Sequence, residues 1–195
     1  MRVALVQLNS GDDPAVNLPV TQGLIGDAVA RGAGFVLTPE VTNCVSANRD
    51  RQRDVLRTQQ QDPTRAALRG QARDLGIWLP IGSLALKTDD PDGRFANRSF
   101  LIGADGAIVA WYDKIHMFDV RVSPDETYRE SAGYRPGARA VVAPTPFGPI
   151  GMTICYDLRF PALYQTLAQA GARVLTVPSA FLPVTGAAHW QALLQ

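Results

Sequence analysis

Short apolar runs separated by Gly- and Pro-bearing turns set the rhythm of the chain. Residues 3–8 form a compact run with β-branched members, which predicts a buried strand. After the turn Gly11-Asp12-Asp13-Pro14, residues 18–31 read as a helix stopped by Gly32 and Gly34. Phe35-Val36-Leu37 predicts a second buried strand, delivering Thr38-Pro39-Glu40 at its carboxyl end. Residues 63–75 predict another helix, with Pro63 near its first turn and Gly76 behind its last, and residues 77–86 predict a strand.

The middle of the chain changes rhythm. A turn at Asp89-Asp90-Pro91-Asp92-Gly93 precedes a strand over 95–102, and Ala104-Asp105-Gly106 makes a tight hairpin into a strand over 108–112. Residues 150–154 predict a strand, 162–170 a helix and 174–177 a strand. Residues 189–195 predict a helix with Trp190, Leu193 and Leu194 on one side, which stops in mid-pattern without a Gly, Asn or basic C-terminal signal. Helices alternate with buried strands at both ends, with hairpins between. This predicts an α/β layered protein rather than a bundle or a sandwich alone. No internal repeat or linker divides it, so residues 1–195 read as one domain.

Composition narrows the function. Hydrophobic residues make up 46% and charged residues 19%, a globular balance, and the net charge of +1 supplies no field to recruit nucleic acid or an anionic membrane. A small molecule is the expected partner. Residues 174–195 contain no Asp, Glu, Lys or Arg, but Pro178, Pro183, Gly186, His189 and Gln191 interrupt what would otherwise suggest a membrane span. The two cysteines, Cys44 and Cys155, match neither a disulfide framework nor a zinc set, and the first residues do not form a secretory segment. The chain reads as cytoplasmic, with reduced thiols. Seventeen of the nineteen basic residues are Arg and fifteen of the eighteen acids are Asp, so the few Lys and Glu side chains stand out. Among these are Glu40, Lys114 and Glu130.

Gly-x-Ser-x-Gly is absent and no Gly-rich phosphate loop follows the first strand, which leaves a serine hydrolase or a nucleotide-dependent enzyme without support. The sharpest local feature is an apolar strand ending at Cys155 with a helix starting near Pro161. A thiol at such a turn would be exposed at the sheet edge, near a helix N-terminus, and both conditions favour thiolate. The alternative is a small buried core residue. Glu40, at a strand end, is either a presented functional acid or a solvated one. Lys114, in the aromatic-rich Trp111-Tyr112-Asp113-Lys114-Ile115-His116-Met117-Phe118-Asp119, could instead pair with Asp113 or Asp119, and Glu130 with a neighbouring Arg.

Together these residues resemble the nitrilase superfamily of carbon–nitrogen hydrolases. Thr38-Pro39-Glu40 is similar to the glutamate motif of that family, Asp113-Lys114-Ile115-His116-Met117-Phe118-Asp119 to its lysine motif, and Ile154-Cys155-Tyr156-Asp157-Leu158-Arg159-Phe160-Pro161 to its cysteine motif. Arg159-Phe160-Pro161, Pro178-Ser179-Ala180-Phe181 and Thr185-Gly186-Ala187-Ala188-His189-Trp190 are similar to the Nit branch, which includes deaminated-glutathione amidases and omega-amidases.

The resemblance implies a four-layer αββα sandwich, at least a homodimer, and a Glu–Lys–Cys mechanism without metal or organic cofactor. Glu40 would take the thiol proton and later activate water, while Cys155 would attack the amide and form a thioester as ammonia leaves. Lys114 and the Tyr156 N–H would hold the oxyanion, and Glu130, similar to a second family glutamate, would orient Lys114 or the water. Family members continue beyond this length, so the resemblance also implies that a C-terminal portion is missing and that activity is reduced. A non-catalytic binding or assembly module is the competing class.

The expected substrate is a small amide carrying a carboxylate, with Arg159, Phe181 and Thr185 as candidate pocket walls. Arg159 could equally pair with Asp157. Cys44 either lines the rim or packs in a loop. His116 offers a rival Cys–His pair with Cys155, or packs beside the site.

Overall fold

The computed structural model describes residues 2–195. Strand β1 (Val3–Leu5) precedes helix α1 (Pro14–Ala30) and strand β2 (Phe35–Leu37), and helices α2 (Arg49–Val55) and α3 (Pro63–Leu75) lead into β3 (Leu79–Leu86). Strands β4 (Ala96–Ile102) and β5 (Ile108–Asp113) are followed by a hairpin, β6 (Asp119–Ser123) and β7 (Glu126–Arg129). The chain ends with β8 (Val141–Ala143), β9 (Ile150–Met152), α4 (Pro161–Gln169), β10 (Val174–Thr176) and α5 (Pro183–Leu194).

Two sheets follow from the pairing. β1 and β2 run parallel, β3–β4–β5 form an antiparallel meander, and the Val36 N–H to the Trp78 carbonyl (2.9 Å) and the Thr38 N–H to the Pro80 carbonyl (3.2 Å) join the two groups. The second sheet has β9 between β8, antiparallel to it, and β10, parallel to it. Strand alternation divides the faces of β4: Phe100 and Ile102 meet Ile25 of α1 and Leu68 and Ala72 of α3, whereas Leu101 meets Ala143, Met152 and Ile154 of the second sheet. On the far side α4 buries Leu163 and Leu167, with Leu167 lying against Gly151 of β9. The order helix, sheet, sheet, helix is the αββα sandwich that the motifs implied. Burial on both faces also explains why all of β3 reads as inward-facing.

Several local expectations change. Residues 3–8 do not make a buried strand: β1 is three residues long, and Val3 and Leu5 are 49% and 75% exposed. β1 is an edge strand covered on one face, so Ala4 and Val6 pack inward and the alternate residues face solvent. Helix α1 begins at Pro14, four residues before its predicted start, because the Asp13 carboxylate accepts the Ala15 N–H as an N-cap. Helix α5 likewise begins at Pro183 rather than at 189. Helix α2, the β6–β7 hairpin and β8 were not foreseen. The sequence of α2 is charged almost throughout and buries Gln52 alone, so it has no apolar stripe to detect.

One close approach positions the site. Gly82 interrupts the β3 register, and a Cβ there would lie 2.1 Å from the Thr38 carbonyl oxygen, 2.4 Å from that of Pro39 and 2.6 Å from the Pro178 Cβ. The Gly82 N–H meets the Thr38 hydroxyl at 3.0 Å, and the Ser83 hydroxyl accepts the Val41 N–H at 2.7 Å. The residues flanking Glu40 are thereby pinned to β3. Gly82→Ala should lose about 1–3 kcal/mol or more in urea unfolding, whereas Gly26→Ala in α1, where a Cβ meets nothing within 4 Å, should be neutral or gain up to about 1 kcal/mol. Equal stability of the two variants would contradict this packing.

Candidate active site

Three chain segments converge at the ends of the two sheets. Glu40 follows β2, and the next residue, Val41, has a left-handed φ of 44°, which bends the chain sharply there. Lys114 follows β5, its N–H bonded to the Asn97 carbonyl at 3.0 Å. Cys155 follows β9 and opens a 3-10 turn, Cys155–Arg159, also with a left-handed φ, of 48°. Its N–H bonds to the Pro178 carbonyl at 2.9 Å. A left-handed backbone at two non-glycine residues, one beside Glu40 and one at Cys155, is a cost that the surrounding packing must hold.

The side chains form one connected group. The Lys114 Nζ donates to Glu40 Oε1 at 2.9 Å and to Glu130 Oε2 and Oε1 at 2.9 and 3.1 Å. Asn97 Nδ2 donates to Glu40 Oε1 at 2.9 Å and to Glu130 Oε1 at 3.4 Å. The Ala180 N–H reaches Glu40 Oε2 at 3.0 Å, and the Phe118 N–H reaches Glu130 Oε2 at 2.6 Å. The thiol of Cys155 lies against the Glu40 carboxylate. Glu40, Lys114 and Cys155 are all buried. Neither Asp113 nor Asp119 takes Lys114: Asp113 instead pairs with Arg98 at 2.6 Å, and Glu130 pairs with Lys114 rather than with an Arg.

Burial and charge set the protonation states. Burial raises the Cys155 thiol well above its ordinary value, and the adjacent Glu40 charge raises it further. The expected exposed, thiolate-favouring cysteine is therefore corrected: the loop through Pro178 and Ala180 covers the strand end and leaves a neutral, buried thiol. For Glu40 burial acts upward, but the Lys114 charge and the hydrogen bonds from Lys114, Cys155 and Asn97 outweigh it and hold the carboxyl below its usual value. Lys114 is held protonated by Glu40 and Glu130 against the effect of burial.

A second buried acid organises the turn. Asp157 accepts the Tyr112 hydroxyl at 2.7 Å, the His116 N–H at 3.0 Å and the Ile154 N–H at 2.9 Å, and its Oδ1 lies 2.7 Å from His116 Nδ1. The His116 ring stacks on Phe160 at 3.6 Å between centroids. His116 is thus occupied by Asp157 and Phe160, and the polar groups around the Cys155 sulfur are Glu40, Lys114 and the Ala180 backbone. The Cys–His alternative has no geometric support.

The group opens into a cavity of about 560 Å³, whose walls include Tyr156, Phe181, Thr185 and Cys44. Cys44 is also buried, and burial with the nearby Asp12 pushes its thiol up to about 11. Arg159 is placed differently from both expectations. It is not among the residues lining the cavity, and its guanidinium lies 5.7 Å over the Tyr156 ring. The partner expected for it, Asp157, is taken by Tyr112, His116 and Ile154. Asn97 and Asp157 were missed as site residues. Asn97 carried no distinguishing signal, being one of three consecutive polar residues, Asn97-Arg98-Ser99, in its strand. Among the described residues no cluster of three or more His, Cys, Asp or Glu is arranged to hold a metal ion.

A buried cysteine against a Glu–Lys–Glu bridge, presented at the carboxyl ends of an αββα sandwich, defines a nitrilase-type site. The chain matches the family model described as carbon-nitrogen hydrolase over residues 2–195, and it belongs to that family. A deaminated glutathione amidase of Yersinia enterocolitica is 40% identical over 194 residues, covering 99% of this chain and 67% of that protein. One from Mus musculus is 36% identical over 200 residues, covering 99% and 60%. The chain therefore spans between 60% and 67% of the length of these relatives. Among solved structures, the NitFhit protein of C. elegans superposes with a TM-score of 0.90 at 32% identity, covering 98% of this chain and 47% of the other. Nit3 of Saccharomyces cerevisiae, a nitrilase superfamily member, superposes with a TM-score of 0.81 at 30% identity, covering 98% and 68%.

Replacing Lys114 tests the bridge. In Lys114→Met two carboxylates face each other without a cation, at a cost of about 3–5 kcal/mol near neutral pH. Their folded-state pKa then rises, so the variant regains stability as pH falls. In the unsubstituted chain the lowered Glu40 pKa contributes stability that fades only below the ordinary carboxylate range. The stability gap in urea melts should narrow from about pH 8 to about pH 5; a constant gap would refute the shared-cation arrangement.

Proposed function

We propose that this chain hydrolyses a non-peptide carbon–nitrogen amide bond through a thioester on Cys155. The observation that carries this reading is the neutral thiol held against a Glu40 carboxylate that Lys114 keeps ionised. Glu40 removes the thiol proton as the sulfur attacks the carbonyl carbon, so the nucleophile is generated at the moment of attack rather than stored as thiolate. Lys114 has three N–H donors. One serves Glu40, one is shared by the two Glu130 oxygens, and the third remains for the oxyanion, together with the Tyr156 backbone N–H. Such donors contribute about 3–4 kcal/mol each in comparable sites. As the tetrahedral intermediate collapses, the carbon–nitrogen bond breaks and the nitrogen leaves with the proton that Glu40 held. Glu40 then takes a proton from water, which attacks the thioester, and the carboxylic acid departs as the thiol is restored. Glu130 and Asn97 keep Lys114 and Glu40 in register throughout. The steps need only side chains and water.

The named activity of the relatives supports a substrate of the deaminated-glutathione type, a small amide with a carboxylate elsewhere in the molecule. An omega-amidase preference is the neighbouring alternative. We further read residues 1–195 as one catalytic domain acting in the cytoplasm, in line with two free cysteines and with the absence, among the described residues, of any helix long and apolar enough to cross a membrane. A homodimer is supported by α5, none of whose described residues is buried and which exposes Val184, Leu193 and Leu194. Sedimentation at micromolar concentration should give a dimer, and a compact monomer would refute that state.

The mechanism is tested by mass and rate. Incubation with a slowly hydrolysed amide should add the acyl mass to the unsubstituted chain and nothing to Cys155→Ala. Glu40→Gln should lower kcat by about 10²–10⁴-fold, and His116→Ala by far less. Because Glu40 is the base and its pKa is lowered, kcat/KM should be level from about pH 6 to about pH 8, with its acid limb below the ordinary carboxylate range. A rate climbing tenfold per pH unit toward the thiol range would show a preformed thiolate and refute the assignment.

A further inference from the structure

Glu40, Lys114, Glu130 and Cys155 account for one part of a cavity of about 560 Å³, a volume suited to a ligand well beyond a simple carboxamide in size. The charges on its walls are unevenly committed. At the reacting end two carboxylates face one ammonium, and the thiol is neutral, so that end is net anionic. Two further cations line the cavity, Arg49 and Arg129. Arg129 ends β7, is exposed, and lies within coulombic reach of Asp119.

Arg49 is held differently. Its guanidinium donates to the neutral Gln52 Oε1 at 2.8 Å and lies 5.1 Å over the Tyr134 ring. It also presses on Gly133, where a Cβ would come within 1.9 Å of the Arg49 Cζ. Gln52 is itself buried and fixed by the Tyr134 hydroxyl at 2.8 Å. Among the described residues no acid lies within ion-pair distance of Arg49. Neutral contacts therefore hold the side chain in place while leaving most of its five donors uncommitted. Tyr134, under the guanidinium, belongs to the buried cluster with Cys44, Leu56, Ala85 and Phe95, whereas Cys155 belongs to the cluster between the sheets. The unpaired cation and the nucleophile thus line one cavity while packing against different apolar clusters.

We propose that Arg49 binds a carboxylate at the end of the substrate remote from the scissile amide, so that the site selects elongated amides with an anionic terminus. The planar guanidinium matches a carboxylate in two parallel hydrogen bonds. The anionic reacting end repels the same carboxylate, so one charge pattern both attracts the substrate and orients its amide toward Cys155. The proposal rests on the amidase reading above and adds the residue that selects among amides.

The probes are the monoamides of glutaric, adipic and suberic acids, each compared with its own methyl ester. The unsubstituted chain should favour the free carboxylate, most strongly for the longer acids. In Arg49→Gln the carboxylate-over-ester ratio of kcat/KM should fall by about 10–100-fold, with the loss in KM rather than kcat. Arg49→Lys should recover only part of it. Because the ratio is taken within one variant, any loss of folded protein divides out. A ratio unchanged in Arg49→Gln, or an equal loss on acid and ester, would overturn the proposal. Calorimetric binding of suberic acid monoamide to Cys155→Ala, with and without Arg49→Gln, reads the same contact without turnover. Arg49-dependent binding with no acyl-enzyme in the unsubstituted chain would sink the amidase reading while supporting the carboxylate site. Acyl-enzyme with Arg49-independent binding would do the reverse.

Discussion

One ammonium shared by two carboxylates holds the centre of this molecule. Lys114 is 2% exposed, and burying its charge is tolerable only because Glu40 and Glu130 both reach it at 2.9 Å. Those three residues come from the end of β2, the end of β5 and the segment after β7, so the bridge ties two strand ends of the first sheet and the β6–β7 hairpin to one point. Much of the surrounding architecture serves that geometry. Gly82 lets β3 approach the Thr38 and Pro39 carbonyls just before Glu40, Asn97 of β4 bonds to both carboxylates, and the Phe118 N–H fixes Glu130. Removing the cation would leave like charges buried together, which is why charge balance and backbone placement cannot be separated here.

The cysteine loop is built to the same tolerance by a different device. Asp157 is fully buried, and its oxygens accept from Ile154 in the cysteine segment and from Tyr112 and His116 around the lysine segment. The two segments that must present Lys114 and Cys155 side by side are thereby locked to one carboxylate. The left-handed backbone at Cys155 is held between that anchor and the hydrogen bond from its own N–H to Pro178.

Much of this was legible in the chain itself. Period and punctuation located most strands and helices; β3, buried throughout, reads as a mostly apolar run. Strand-end positions singled out Glu40 and Cys155, and a chain poor in Lys and Glu drew attention to Lys114 and Glu130. Several of the features that escaped depend on contacts between segments remote in sequence. Helix α2 has no apolar stripe because one residue, Gln52, anchors it to Tyr134 eighty-two positions away. Asn97 and Asp157 look like ordinary strand and turn residues until their partners arrive from elsewhere. The sequence left the Cys155 thiol open between an exposed and a buried state, and the cover that decides it comes from Pro178 and Ala180.

The resting protonation of Cys155 also bears on how the protein meets oxidants. A thiolate is the species that attacks peroxide oxygen or a disulfide sulfur, so damage follows thiolate character and accessibility. Here the sulfur is neutral and buried, and the same holds for Cys44, whose thiol is pushed up to about 11. Burial disfavours the anion at both cysteines. In the proposed mechanism ionisation of Cys155 waits for the carbonyl carbon, so the contact with Glu40 that would activate the sulfur also keeps it neutral at rest, the form least open to sulfenic acid formation.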